Sequence, residues 1–180
     1  WRRALWQSSK IETELSKDVR DHDDRVQRDN FGRPIEGALL KTERTSASIE
    51  LSQDWGKNGN INSAIELKYL ENRDNGSGYY DYDQWAIDVS LEGEWGSFET
   101  LLTVGMDQTG FVTQKSERFG TKLREKEDFY GELFLKKQLM KRISVYFLLE
   151  YEDSKSNVVE DEYDAFSGSL GFQIDFWGEP

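Results

Sequence analysis

The chain is predicted to be all-β: an antiparallel up-and-down transmembrane β-barrel with about eight strands in this chain. Three observations predict it: apolar and polar residues alternate with period two, short turns alternate with long polar loops, and the second face of the strands is crowded with carboxylates. The alternation is plainest between Arg142 and Trp177. There Ile143, Val145, Phe147, Leu149 and Tyr151 fall on one side, with Ser144, Tyr146, Leu148, Glu150 and Glu152 opposite. Leu170, Phe172, Ile174 and Phe176 repeat the pattern against Ser169, Gly171, Gln173 and Asp175.

The elements follow in order. Trp6 to Val19 places Lys10, Glu12 and Glu14 on the polar side, and Leu39 to Trp55 places Arg44 and Glu50 there; these two strands are the least apolar. Ile61 to Glu71 adds Glu66 and Lys68. Tyr82 to Trp95 sets Trp85, Ile87, Val89, Leu91 and Trp95 against Asp88, Glu92 and Glu94. Ser97 to Thr109 sets Phe98, Leu102, Val104 and Met106 against Glu99 and Asp107, and Glu127 to Leu139 sets Phe129, Leu133 and Leu135 against Glu132 and Lys136. Arg142 to Asp153 and Ala165 to Trp177 complete the set. Between them, "WGKNGN", "EWGS" and "LMKR" read as tight turns, whereas "RDHDDRVQRDNFGRPIEG", "NRDNGSGYYD", "GFVTQKSERFGTKLREK" and "SKSNVVEDEYD" read as long loops. Tight turns at one end and long loops at the other are the asymmetry of a membrane barrel. Trp55, Trp95 and Phe98 then gather at the short turns, and Tyr79, Tyr80, Tyr82, Trp85 and Tyr151 toward the long loops, as two interfacial girdles would.

Composition narrows the class. The 180 residues suffice for one domain, 1–180, and 13% aromatic content beside 32% charged residues excludes an acidic disordered tail. A net charge of -12 excludes the basic footprint of a nucleic-acid binder, and the absence of cysteine excludes disulfides and thiolate metal sites. The first residue is Trp1 and no leader-like segment follows it, so an export signal is expected to have been removed or to lie outside these residues. No apolar run has the length of a membrane helix.

The polar face sets the functional expectation. Glu12, Glu14, Glu50, Glu66, Asp88, Glu92, Glu94, Glu99, Asp107, Glu132, Glu150 and Asp175 stand against only Lys10, Arg44, Lys68 and Lys136. In a membrane barrel this face lines the lumen. An eight-stranded barrel is filled by its own side chains, and carboxylates packed there without partners are costly. Water relieves the cost if the chain is the C-terminal part of a wider barrel, the reading favoured here. Several copies sharing one barrel, or a basic partner in the lumen, would also relieve it. A water-filled acidic lumen concentrates cations, so a passive pore or export conduit is expected, with no cofactor and no enzymatic step. The membrane-facing set is Trp85, Ile87, Val89, Leu91, Leu102, Val104, Leu133, Leu135, Val145, Phe147, Leu149, Leu170, Phe172 and Ile174.

The end of the chain, "SLGFQIDFW", resembles the C-terminal assembly signal of bacterial outer-membrane barrels, with Gly171, Phe172, Ile174 and Phe176 as its glycine and alternating apolar residues. The last third is similar to the closing strands of β-barrel porins and of barrels joined to periplasmic tetratricopeptide repeats, its counterparts being Asp128, the Tyr151 region, Ser156 and Asn157. The resemblance implies an outer-membrane location and contact with lipid, lipopolysaccharide and the barrel-assembly machinery. It also implies a role in pore formation or in polysaccharide or protein export.

Competing readings rest on fewer residues. A soluble barrel would bury the apolar face as its core. A non-conducting eight-stranded envelope anchor would pair its lumen charges into a network. A rim hydrolase would use His22 with Asp23 or Asp24, but a lone histidine in a charged loop is usually solvated. Asp74, Asp81, Asp83, Glu160, Asp161 and Glu162 offer carboxylates for a divalent cation without the spacing of a calcium loop, so no metal is assigned.

Overall fold

A computed structural model describes residues 2–6, 8–56, 60–117 and 120–174, with the backbone alone for residues 2–6. The strands are β1 (Arg2–Trp6), β2 (Ser9–Arg28), β3 (Pro34–Trp55), β4 (Ile61–Asp74), β5 (Tyr82–Trp95), β6 (Phe98–Lys115), β7 (Leu123–Met140), β8 (Ile143–Ser156) and β9 (Tyr163–Ile174). They form one antiparallel sheet in which every strand pairs with its neighbour in sequence. The fold is all-β and up-and-down. Among the described residues a single turn of 3-10 helix, Val159–Asp161, is the one helical element, and no helix is long and apolar enough to cross a membrane. No pairing joins β9 to β1 or β2 among these residues.

Local chemistry accounts for the short turns. Gly96 holds a φ of 66° between Trp95 and Phe98, a conformation in which a Cβ would be strained, and so closes β5 onto β6. Lys141 and Arg142 close β7 onto β8, where Met140 pairs with Ile143.

The long-loop end departs from the expectation. The predicted loops on either side of Asp29 and of Glu117 are mostly strand: β2 runs to Arg28 before β3 begins at Pro34, and β6 runs to Lys115 before β7 begins at Leu123. An antiparallel ladder satisfies its backbone groups whatever the side chains, so hairpins wet on both faces persist without apolar alternation to announce them. At about 3.3 Å per residue, the 20 residues of β2 reach about 65 Å, far beyond a hydrocarbon core of about 30 Å. The first predicted strand is also redrawn. Trp6 ends the short β1 and pairs with Ser9, a reversal that no glycine or proline marks in the sequence.

Burial is inverted relative to a soluble core. Among the described residues only Leu40 and Leu70 are buried apolar side chains, while Ser9, Asn72, Thr109, Gln114, Ser144 and Ser154 are buried polar ones. The accessible surface is 13093 Å², against about 9,000 Å² for a compact soluble chain of this mass. Apolar side chains are left facing outward.

Candidate functional site

The register places the predicted apolar set on one face. Leu67, Ile87, Met106 and Phe129 stand side by side across four strands, as do Leu51, Ile65, Val89 and Val104. Leu91, Leu102, Leu133 and Leu149 form another row, and Trp85, Leu135, Val145, Phe147, Leu170, Phe172 and Ile174 share the same face. Much of this face is open: Trp85 is 63% exposed, Leu170 75% and Phe172 71%. Phe176 and Asp175 lie outside the described residues.

In β3, β6, β7, β8 and β9 the apolar rows keep to the short-turn end of the strand. The belt they form is not parallel to the hydrogen-bonded rows: the row through Leu170 passes Phe147, Leu135, Thr100, Gly93 and Ile61 and reaches Trp55, the last residue of β3. Strands must therefore tilt across the belt, as the stagger of a barrel wall requires. Both borders carry aromatic residues. At one, the Tyr69 and Trp85 rings lie 4.6 Å apart, and beyond them Arg73 pairs with Glu71 and Asp83 at 2.6 Å each. Phe129 and Tyr151 occupy the same border, with the Asp153–Lys155 pair beyond them. At the other, Lys137 Nζ sits 4.7 Å from the Phe98 ring centre, beside Trp95. Three expected girdle residues are elsewhere: Tyr79 lies in the loop after β4 against Gly32, Tyr82 takes the polar face, where its hydroxyl accepts a hydrogen bond from Arg44 at 3.1 Å, and the Tyr80 hydroxyl accepts one from Arg28 at 3.0 Å.

The opposite face carries the acidic set. Glu50, Glu66 and Asp88 form one row, and Lys68, Asp107 and Asp128 share its face. Glu99 pairs with Lys136 at 3.1 Å, Gln84 donates to Asp107 at 2.8 Å, Ser167 donates to Glu150 at 2.7 Å, and the Tyr130 hydroxyl donates to Asp88. Glu66, Glu92 and Glu132 form no ion pair among the described residues. This face is concave, since residues of β2 and β6 line a common cavity although three strands separate them. Sequence reasoning did not anticipate two tyrosine–glycine contacts on it. Tyr130 lies against Gly105 and Tyr146 against Gly171, each filling the space a Cβ would take.

The loop after β4 stitches the long-loop end. Asp74 Oδ1 accepts from the Gly76 and Gly78 amides at 2.7 and 2.9 Å, and Oδ2 from the Tyr80 amide at 2.9 Å. Ser77 reaches the Arg28 carbonyl, and Thr113 donates to the Gly78 carbonyl at 2.7 Å, so the loop bridges β2 and β6. Partial burial beside Asp74 raises the Asp81 carboxyl above its ordinary range. At the β2–β3 tip, hydrogen bonds from the Arg33 and Phe31 amides hold the Asp29 carboxyl below its ordinary range. Asp74→Ala is expected to lose about 1–3 kcal/mol of local stability by stranding three amides. Faster hydrogen exchange at Gly76, Gly78 and Tyr80, partly restored in Asp74→Asn, checks this.

The other predicted constellations do not assemble. His22 lies within β2 rather than in a loop and is half-buried; its Nε2 is 3.3 Å from Thr42 Oγ1, and no contact joins it to Asp23 or Asp24 among the described residues. Asp74 is spent on amides, Asp83 on Arg73 and Asp161 on Arg124, and no cluster of metal-ligating side chains forms among the described residues. No family model, curated protein or solved structure matches the chain.

Proposed function

We propose that the chain forms wall strands of a bacterial outer-membrane β-barrel that serves as a pore or export conduit with an acidic, cation-favouring lumen. The observation that carries this reading is the inverted burial: apolar rows exposed on one face between aromatic borders, and carboxylates on the concave face. In lipid the exposed rows become the favourable surface, and the backbone groups are satisfied strand to strand. Strand parity leaves two closures open. β1 and β9 are separated by seven strands and so run in the same direction, whereas single-chain bacterial barrels close an even number of strands through an antiparallel seam. Closure then takes an odd number of further strands, or leaves β1 out of the wall. Glu66, Glu92 and Glu132 would face the water of that lumen, where their field concentrates cations and repels anions. Outer-membrane lipid and lipopolysaccharide would contact the belt, and the barrel-assembly machinery would insert it. A non-conducting envelope barrel is the second reading, favoured by the Tyr130–Asp88 and Lys136–Glu99 contacts and the Phe134–Tyr146 stack that occupy the concave side.

The test is conductance of the folded chain in a planar bilayer under a potassium chloride gradient. A cation-selective current is expected, with selectivity reduced in the Glu66→Gln, Glu92→Gln, Glu132→Gln triple variant. A heat-modifiable, inserted species that passes no current would instead establish the non-conducting barrel.

A further inference from the structure

The concave face is acidic along the belt, but its long-loop end is not. Arg20 and Arg25 of β2 and Arg44 of β3 converge with Tyr80, Tyr82 and Asn72 on a cavity of about 240 Å³. The buried Leu40, 2% exposed, lies in its wall. Arg20, Arg25 and Arg44, all exposed, form no ion pair among the described residues, and Asp18, the cross-strand neighbour of Arg44, is the single acid among those lining the cavity.

The hydrogen-bond inventory points the same way. Tyr82 Oη accepts from Arg44 Nη2 at 3.1 Å and Tyr80 Oη accepts from Arg28 Nε at 3.0 Å, so each phenol has its own proton left to donate. The cavity thus collects three guanidinium and two phenol donors, and its remaining polar lining, His22, Thr42, Asn72 and Gln114, is uncharged or carries only an imidazole, with Asp18 as the one carboxylate. Neutral sugars and cations need acceptors, whereas an oxyanion needs only donors and satisfies guanidinium forks with two oxygens at once.

We propose that this cavity binds the oxyanion of a small solute, a carboxylate or a phosphate group, held by Arg20, Arg25 and Arg44 with the Tyr80 and Tyr82 hydroxyls. The site stands on the folded hairpins alone and does not depend on the pore reading. It would place an anion-recognising step at the end of the molecule opposite the short turns, apart from the carboxylates of the belt.

The full chain folded in detergent micelles is titrated by calorimetry with glucuronate, with inorganic phosphate and with glucose. Saturable binding of at least one anion and none of glucose is expected, and the relative affinities distinguish a carboxylate from a phosphate ligand. Arg20→Gln with Arg25→Gln should weaken binding by at least about tenfold, since each lost charged contact is worth that much or more. Arg142→Gln, the same charge change in the β7–β8 turn, should leave binding within about twofold, because surface charges beyond a Debye length are screened. Tyr82→Phe, which keeps the ring and removes the hydroxyl, should weaken binding without perturbing the fold. Absence of saturable anion binding would overturn the proposal. So would equal loss in the Arg142→Gln control, or binding of glucose as tight as that of the anions.

Discussion

Leu102→Arg is expected to destabilise the folded protein in lipid by about 2–4 kcal/mol, and Thr103→Arg, one residue along, by about 1 kcal/mol or less. Leu102 stands mid-belt between Leu91 and Leu133, whereas Thr103 points to the concave face between Ser90 and Glu132, where a guanidinium meets acids and water. The difference arises from the medium each side chain enters. A charge at the bilayer midplane loses hydration that nothing on the apolar face replaces, whereas a charge on the polar face keeps it. Urea titration of tryptophan fluorescence in phospholipid vesicles measures both. In a soluble protein, Leu102 at 39% exposure would accept arginine at a cost within about 0.5 kcal/mol. Equal costs at the two positions would therefore remove the membrane reading, however well the sheet folded.

Gly105→Ala is expected to cost about 1–3 kcal/mol, the range for overpacking a filled site, while Gly110→Ala on the same strand should be near neutral or slightly stabilising. A Cβ at Gly105 would run into the Tyr130 ring and the Asp88 carboxylate; at Gly110 nothing lies within 4 Å. Tyr130 cannot simply swing aside, because its hydroxyl is held by Asp88 across β6. Pairing Gly105→Ala with Tyr130→Ala tests the contact itself: the double variant should cost less than the sum of the singles, since once the ring is gone the new methyl meets only the Asp88 carboxylate, no longer held by the tyrosine hydroxyl. Additive costs would mean that the glycine answers to the backbone rather than to the tyrosine. Denaturation midpoints of the four variants decide between these outcomes.

Side-chain alternation was readable because period two is a property of the strand itself. Each of Trp85, Ile87, Val89 and Leu91 had to share a side once the segment was extended, and the register leaves them there. The polar face followed for the same reason, Glu66 and Asp88 meeting across β4 and β5. The strand extensions of β2, β3, β6 and β7 were not readable. Largely polar on both sides, they carry little contrast between faces, and their order comes from partners far along the chain, such as Asp21 against Lys41. The tyrosine–glycine contacts and the arginine cavity were hidden too. Tyr130 and Gly105 are 25 positions apart, and Arg20 and Tyr82 line one cavity only after the sheet has curled.

By itself, the sequence determined the fold class, the two faces and the end at which the turns are short, all of which rest on neighbours within a strand or a turn. The tertiary structure decided which polar groups meet on the concave face. Pairing across strands and curvature of the sheet act between residues distant in the chain, and no local pattern encodes them.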